Sequence, residues 1–318
     1  MLKKTGTQMS SFGVSKRVNH DSTPFYSRAL YHNTDFRDKD IDYTESSVSE
    51  DIVDKIFCQD SRDMYQLSDN SVHLMITSPP YNVGKDYDEN LSMKEYLKLL
   101  KDVFTEIYRV LVPGGRACVN IANLGRKPYI PLHSFIISDM LEIGYLMRGE
   151  IIWDKSASAG TSTAWGSWQS ASNPTLRDVH EYILIFSKGD YKRDKKNKKD
   201  TITKDEFMKY TKSVWQFPAE SAKKVKHPAP FPTELPSRLI KLYSFQGDVI
   251  LDPFCGSGST CLSASKLERH YIGYDNNKEY CKIAQERIKR EFAQFEFLLH
   301  EKPSSQYKYE KKRTKNKK

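Results

Sequence analysis

Residues 249–264 read VILDPFCGSGSTCLSA, and the fold follows from how that stretch turns. An apolar strand ends at Asp252, and a helix begins after Gly258. Gly256 and Gly258 let the backbone turn tightly and approach a ligand, while the first turn of the helix offers amides that have no partner inside it. The dinucleotide fingerprint would place a third glycine where this chain has Cys261. The next strand, YIGYD at 271–275, ends about twenty residues on in Asp275, where a carboxylate can accept both hydroxyls of a ribose. The glycines alone would also serve a bare βα turn. Joined to Asp275, they point to an adenosine-containing cofactor.

Around this corner strands and helices alternate. ELPSRLIKLYS (234–244) reads as the helix before it and KEYCKIAQERIKREF (278–292) as a long closing helix. Upstream, VHLMITS (72–78) reads as a buried strand, SMKEYLKLLKDVFTEIYRVL (92–111) as an amphipathic helix, PGG (113–115) as its stop and RACVNIA (116–122) as a second strand. PLHSFIISDMLEIG (131–144) gives another helix, and IIW (151–153) and YILIFS (182–187) two more strands. Such alternation implies a mainly parallel sheet covered on both faces.

Three segments depart from the pattern. Residues 1–50 are polar and without period, which predicts an N-terminal arm. The loop at 154–180 is long, rich in small residues and aromatic, the composition of a functional loop. Residues 188–226 form a basic insertion, and 301–318 a basic tail that reads as a solvated charge run. In HPAPFPTELP (227–236), Thr233 and Glu234 stand where a helix starts, so capping explains them as well as ligand contact does.

A chain of 318 residues can bury a substantial core. Its formal charge of +9 favours a polyanionic partner, with nucleic acid first in line. The five cysteines are scattered without CxxC spacing, against both a zinc site and a disulfide framework, and suit a reducing cytoplasm. No apolar stretch nears the roughly 18 residues of a membrane span, and the polar start lacks a signal-peptide core.

LMITSPPYNVGK (74–85) sets two prolines and a tyrosine directly after a buried run. Pro79 and Pro80 fix two torsions, remove two amide donors and push Ser78 into an extended conformation, so the strand ends as a stiff rim with free carbonyls, suited to a flat polar group. By itself the tetrapeptide would pass as a strand-ending turn.

TSPPY, HPAPFP and DPFCGSGST, in that order and followed by GYDNNKEYCKIAQERI, resemble the β-type DNA amino-methyltransferases. The resemblance covers roughly residues 52 to 290 and implies a Rossmann-like S-adenosylmethionine-dependent methyltransferase fold with circularly permuted motif order. It divides the chain into a catalytic half (51–187), a target-recognition insertion (188–226) and a cofactor half (227–300). It assigns Asp252, Pro253, Phe254, Gly256, Ser257 and Gly258 to the cofactor pocket, Asp275 to the ribose, Thr233 and Glu234 to the methionine moiety, and Asp60 to the adenine.

In that family the SPPY-type segment holds the exocyclic amine of a base flipped out of the duplex. The resemblance therefore gives Ser78 and Pro79 the amine hydrogens, Pro80 the rigidity and Tyr81 a stacking face. It implies 4-amino methylation of cytosine in double-stranded DNA, with the 6-amino group of adenine as the alternative, and a restriction endonuclease acting on the same site as partner. Serine at position 78, instead of aspartate or asparagine, leans to cytosine. Ring-carbon methylation would need a thiol nucleophile, usually after proline, and no cysteine here follows one.

Trp165 and Trp168 are candidates for DNA or base contact, whereas Trp153, at a strand end, reads as core. Lys195, Lys196, Lys198 and Lys199 are candidate phosphate contacts. Two other classes remain open at this level: a cofactor-bound nucleic-acid-binding protein without catalysis, and a nicotinamide oxidoreductase.

Overall fold

VHLMIT, at Val72–Thr77, is buried along its whole length, the mark of a strand covered on both faces. The computed structural model describes residues 26–31, 36–37, 40–81, 91–125, 127–155, 166–219 and 232–300, in two units divided after Asp40. The described part of the first holds a short 3-10 turn at Ala29–Tyr31, with Tyr26 edge-on to Tyr31. The second holds the sheet and its helices.

In chain order, β1 (Lys55–Cys58) and β2 (Val72–Thr77) precede α1 (Met93–Val110). β3 (Leu111–Ile121) and a small pair, β4 (Leu124–Gly125) and β5 (Tyr129–Ile130), lead to α2 (Leu132–Ile143). Then come β6 (Tyr145–Asp154), β7 (His180–Lys188), α3 (Lys204–Tyr210), β8 (Val214–Gln216) and α4 (Glu234–Tyr243). The chain closes through β9 (Val249–Asp252), α5 (Ser259–Lys266), β10 (His270–Asp275) and α6 (Lys278–His300).

Among the described residues, eight strands form one sheet in the order β1-β10-β9-β2-β3-β7-β6-β8. From β1 to β3 all pairings are parallel, while β7 runs antiparallel to both β3 and β6. This is the Rossmann-like α/β fold. The route from β2 moves outward to β3, and the route from β9 moves outward the other way to β10. The sheet thus has its topological switch point between β2 and β9, where ligands of open α/β sheets bind beyond the carboxyl ends of the strands.

The helices form because their apolar positions recur every three or four residues. In α1, Tyr96, Leu100, Val103, Phe104, Ile107 and Val110 are all buried, and Ser92 and Glu95 close a reciprocal cap at its start. Together with Leu132, Ile136 and Met140 of α2 they cover one face of the sheet. Leu235, Leu239 and Ile240 of α4 cover the other, beside Trp153 and Trp215.

The expectations drawn from the sequence need correction at several points. The helix before PGG ends at Val110, and PGG lies inside β3; Gly114 has φ +72°, and a side chain there would run into the Lys192 carbonyl. Of the arm expected over 1–50, residues from Ile41 onward belong to the second unit, where Ser46 donates its amide to Asn70 at 2.8 Å and Glu45 pairs with Lys198 at 3.0 Å. The edge strand β1 has no counterpart in the sequence reading. Nor does the insertion simply interrupt the fold. Its strand β8 pairs with β6, and Trp215 is 1% exposed under the guanidinium of Arg238.

The segment entering that insertion is anchored by charge. Asp248 is 1% exposed and takes Arg193 and Lys198, while Glu45 takes Lys198 and Arg193. His73 accepts the Val249 amide on Nδ1 at 2.9 Å, and burial holds its imidazole below the ordinary value. Lys198 is therefore engaged by internal carboxylates, which corrects its place among the phosphate lysines. Lys195, Lys196 and Lys199 are exposed, with Lys195 paired to Asp200.

Candidate active site at the ends of two central strands

Thr77, the last residue of β2, donates its hydroxyl to Oδ1 of Asp252, the last residue of β9, at 2.7 Å. Two motifs far apart in sequence are thereby brought side by side at the switch point. The Phe254 amide also donates to Asp252 Oδ1, at 3.2 Å. Oδ2 is buried without a hydrogen-bond partner among the described residues, because the nearby Thr260 hydroxyl donates to the Ile76 carbonyl. Burial pushes the Asp252 carboxyl up to about 6, against the pull of the Thr77 hydroxyl and the Phe254 amide.

The glycine turn that follows has φ +48° at Gly256 and +76° at Gly258, values that glycine adopts without strain. A side chain at Gly258 would crowd Ala284 and Ile288 of α6. The Gly256 amide donates to Asp275 Oδ2, and the Asn277 amide to Oδ1, each at 2.9 Å. Burial nonetheless holds the Asp275 carboxyl above its ordinary range. Register places Cys58 of β1 beside Asp275, so Asp60, two residues further, lies at the same edge, where its carboxylate takes the amide and guanidinium of Arg62.

Other residues of the expected pocket have structural work. Ser257 accepts Arg287 on both its carbonyl and its hydroxyl at 3.1 Å, so its side chain braces the turn against α6. Thr233 makes no side-chain cap, and Glu234 pairs with Arg238 at 2.8 Å. Residues 227–231, the first five of HPAPFP, lie outside the described residues.

At the end of β2, Pro79 is buried and Ser78, Pro80 and Tyr81 are half-buried. Ser78 Oγ lies 3.3 Å from the Tyr81 hydroxyl, which donates to Glu181 Oε2 at 3.3 Å. Trp153 is 2% exposed and stacks on Phe217, a core residue as expected. Trp168 is 64% exposed, and Trp165 lies outside the described residues. The thiols of Cys118, Cys255 and Cys261 are all pushed up by burial.

Residues 72–286 match the model of a family described as DNA methylase, covering the modification of N6 and N4 amines. The chain belongs to this DNA methylase family. Among its relatives, the Type II methyltransferase M.MjaI of Methanocaldococcus jannaschii is 34% identical over 280 residues, covering 74% of this methylase and 90% of the relative. A Thermus thermophilus protein described as a DNA modification methylase, solved in complex with S-adenosyl-L-methionine, superposes with a TM-score of 0.61 at 29% identity, covering 75% of the methylase and 95% of that chain. The PvuII cytosine-N4-specific methyltransferase shares the fold, with a TM-score of 0.58 at 20% identity over 76% of the methylase and 91% of that chain.

Sequence reasoning overlooked Asn120, Lys155 and Glu181, which the methylase gathers beside the tetrapeptide. Asn120 Nδ2 donates to Glu181 Oε2, and Lys155 Nζ to Oε1, each at 2.5 Å. Their signal was present: a lone asparagine within the apolar CVNIA and a glutamate opening the apolar EYILIF. Arg287, the brace of the glycine turn, is a buried arginine in a helix whose exposed face is also basic, and nothing in the sequence separates it from its neighbours.

Proposed function

We propose that this DNA methylase transfers a methyl group from S-adenosyl-L-methionine to the 4-amino group of cytosine in a short specific sequence of double-stranded DNA. It acts as the modification enzyme of a Type II restriction system, beside an endonuclease that cuts the same site. The observation that carries this reading is the 2.7 Å bond between Thr77 and Asp252, because it fastens the SPPY rim to the cofactor turn. An amine held at the rim then lies next to a methyl donor held at the turn.

The residues present suit the cofactor. Asp252 offers a buried carboxylate oxygen that has no donor among the described residues, matched to the positive charges of the methionine end. Asp275, at the end of the neighbouring strand β10 and bonded to the Gly256 turn, suits the ribose. When bound, the cofactor supplies a methyl group on a positively charged sulfur.

An aromatic amine is a poor nucleophile, because its lone pair is delocalised into the ring. Ser78 Oγ and the Pro79 carbonyl accept its hydrogens and aim the nitrogen, the two prolines keep the rim from yielding, and Tyr81 stacks on the base. Direct transfer of this kind needs no thiol, in keeping with cysteines whose burial disfavours the thiolate. Cytosine is chosen over adenine on Ser78. Lys195, Lys196 and Lys199 supply phosphate contacts, and the exposed Trp168 an aromatic face for DNA.

The test is to treat unmodified duplex DNA with the protein and cofactor, digest it to nucleosides and resolve them by mass spectrometry. N4-methylcytosine is expected. 6-methyladenine would overturn the base and keep the amine chemistry, whereas 5-methylcytosine would overturn both.

A further inference from the structure

Glu181 is the second residue of β7 and sits opposite Trp153 of β6, with Lys155 just past the end of that strand and Asn120 near the end of β3. Three neighbouring strands thus bring an amide, a carboxylate and an ammonium together at the active-site end of the sheet. The carboxylate is 13% exposed and takes three donors: Lys155 at 2.5 Å, Asn120 at 2.5 Å and the Tyr81 hydroxyl at 3.3 Å. Nothing in the chemistry of methyl transfer requires a carboxylate here, and the tetrapeptide itself stops at Tyr81.

Proton counting shows what it does. An ionised carboxylate has no hydrogen to give, so the one proton of Tyr81 goes to Glu181. Burial and the charge of Glu181 push the Tyr81 phenol well above its ordinary value, so that proton stays on the ring oxygen. The Tyr81 oxygen then meets Ser78, 3.3 Å away, with lone pairs only. In the bond between them Ser78 is then the donor, its hydrogen turned toward Tyr81. Ser78 Oγ is left with lone pairs on its other side, the polarity an amine donor needs.

We propose that Glu181 is a positioning residue that sets the direction of the chain Ser78 to Tyr81 to Glu181, and so makes Ser78 an acceptor toward the target amine. Lys155 pairs with the carboxylate at 2.5 Å, and Asn120 fixes its rotamer. The same bond fixes the Asn120 amide, whose Nδ2 is spent on Glu181 and whose Oδ1 is buried without a partner among the described residues. A second acceptor is thereby left at the end of the strand next to β2. Without the carboxylate, Tyr81 can donate to Ser78 instead, and Ser78 then turns its hydrogen on the amine, donor against donor.

The proposal rests on the reading of Ser78 to Tyr81 as the amine site. The experiment is steady-state transfer of tritiated methyl from S-adenosylmethionine to polymerase-copied, unmodified genomic DNA. Glu181→Gln should lower kcat about 10- to 100-fold with KM for the cofactor within about twofold of the parent, the loss typical of a misdirected hydrogen bond at a reacting centre. Tyr81→Phe keeps the stacking face and should lose a similar factor.

The double variant should be no slower than Tyr81→Phe alone, since the chain is already cut at the hydroxyl. Losses that multiply would make Glu181 a structural residue and overturn the proposal. If Glu181→Gln fails to fold by circular dichroism, Tyr81→Phe still decides: parental kcat in that variant overturns it. Ser78→Ala separates the two levels. Parental kcat there would sink the amine-site reading itself, whereas loss of turnover in Ser78→Ala beside multiplying losses at Glu181 would sink only the role of Glu181.

Discussion

The Thr77 hydroxyl stands 2.7 Å from Asp252 Oδ1 and joins the two halves of the candidate active site, and Oδ2 of this fully buried carboxyl has no donor among the described residues. Burial raises the Asp252 carboxyl to about 6 in the cofactor-free protein. A positively charged ligand favours the ionised form, so binding releases a proton whenever Asp252 starts out neutral.

Cofactor affinity should therefore be full above pH 6 and fall as pH drops through about 6. Titration calorimetry between pH 5 and pH 8 checks this, and Asp252→Asn should both weaken binding and flatten the profile. The folding linkage has the opposite sense: a carboxyl raised by folding stabilises the cofactor-free protein below its unfolded pKa, and that contribution is lost as pH rises through about 6. Asp252→Asn should thus raise the urea midpoint of the cofactor-free protein at pH 8. A variant with parental affinity at every pH would remove Asp252 from the pocket.

Asp275 receives the Gly256 amide, so it shapes the turn as well as offering an oxygen to a ribose. Asp275→Ala should weaken cofactor binding by about 1 to 3 kcal/mol, the range for a buried hydrogen-bonding group removed from its partners. Gly256→Val should abolish it, because a β-branched residue is strained at φ +48° in a buried turn. Equilibrium binding with the folded variants decides, and parental affinity in either would exclude the residue.

Salt dependence separates the lysines of the insertion. Alanine at Lys195, Lys196 and Lys199 should flatten the plot of log K for DNA against log salt by about 0.9 for each lysine that meets a phosphate. Lys198→Ala should leave the slope alone and lower stability, because its ammonium lies between Glu45 at 3.0 Å and Asp248 at 3.1 Å. An unchanged slope in the triple variant would show that these side chains do not contact phosphate.

Trp215 tests whether the insertion is part of the fold. It is 1% exposed, donates its indole N–H to the Tyr210 carbonyl at 3.1 Å, and lies under Arg238 of α4. Trp215→Ala should cost about 3 to 5 kcal/mol of unfolding free energy in urea, the usual range for deleting a buried aromatic. A loss below about 1 kcal/mol would mean that β8 packs loosely on the sheet.

Much of this protein was legible in one dimension. The alternation of buried strands with amphipathic helices, the turn at Gly256 and Gly258, the acidic strand end at Asp275 and the rigid SPPY rim are all local features. Each depends on torsional preference or on the period of apolar residues along a few turns of chain. The order of the motifs along the chain is likewise a property of sequence, and it marks the methylase family by itself.

Tertiary structure alone decided which of these pieces meet. Thr77 and Asp252 touch because β2 and β9 are neighbours in the sheet, and strand order is set by how crossovers pack, which no window of sequence records. The same holds for charge. Lys198 and Lys199 are adjacent and identical in the sequence, yet one is drawn inward by Glu45 and Asp248 while the other faces water. Glu181 gained its place beside Tyr81 through the antiparallel strand β7, slotted between β3 and β6. Sequence determines what each residue can donate, accept or bury; only the packed chain decides which partner stands within about 3 Å to receive it.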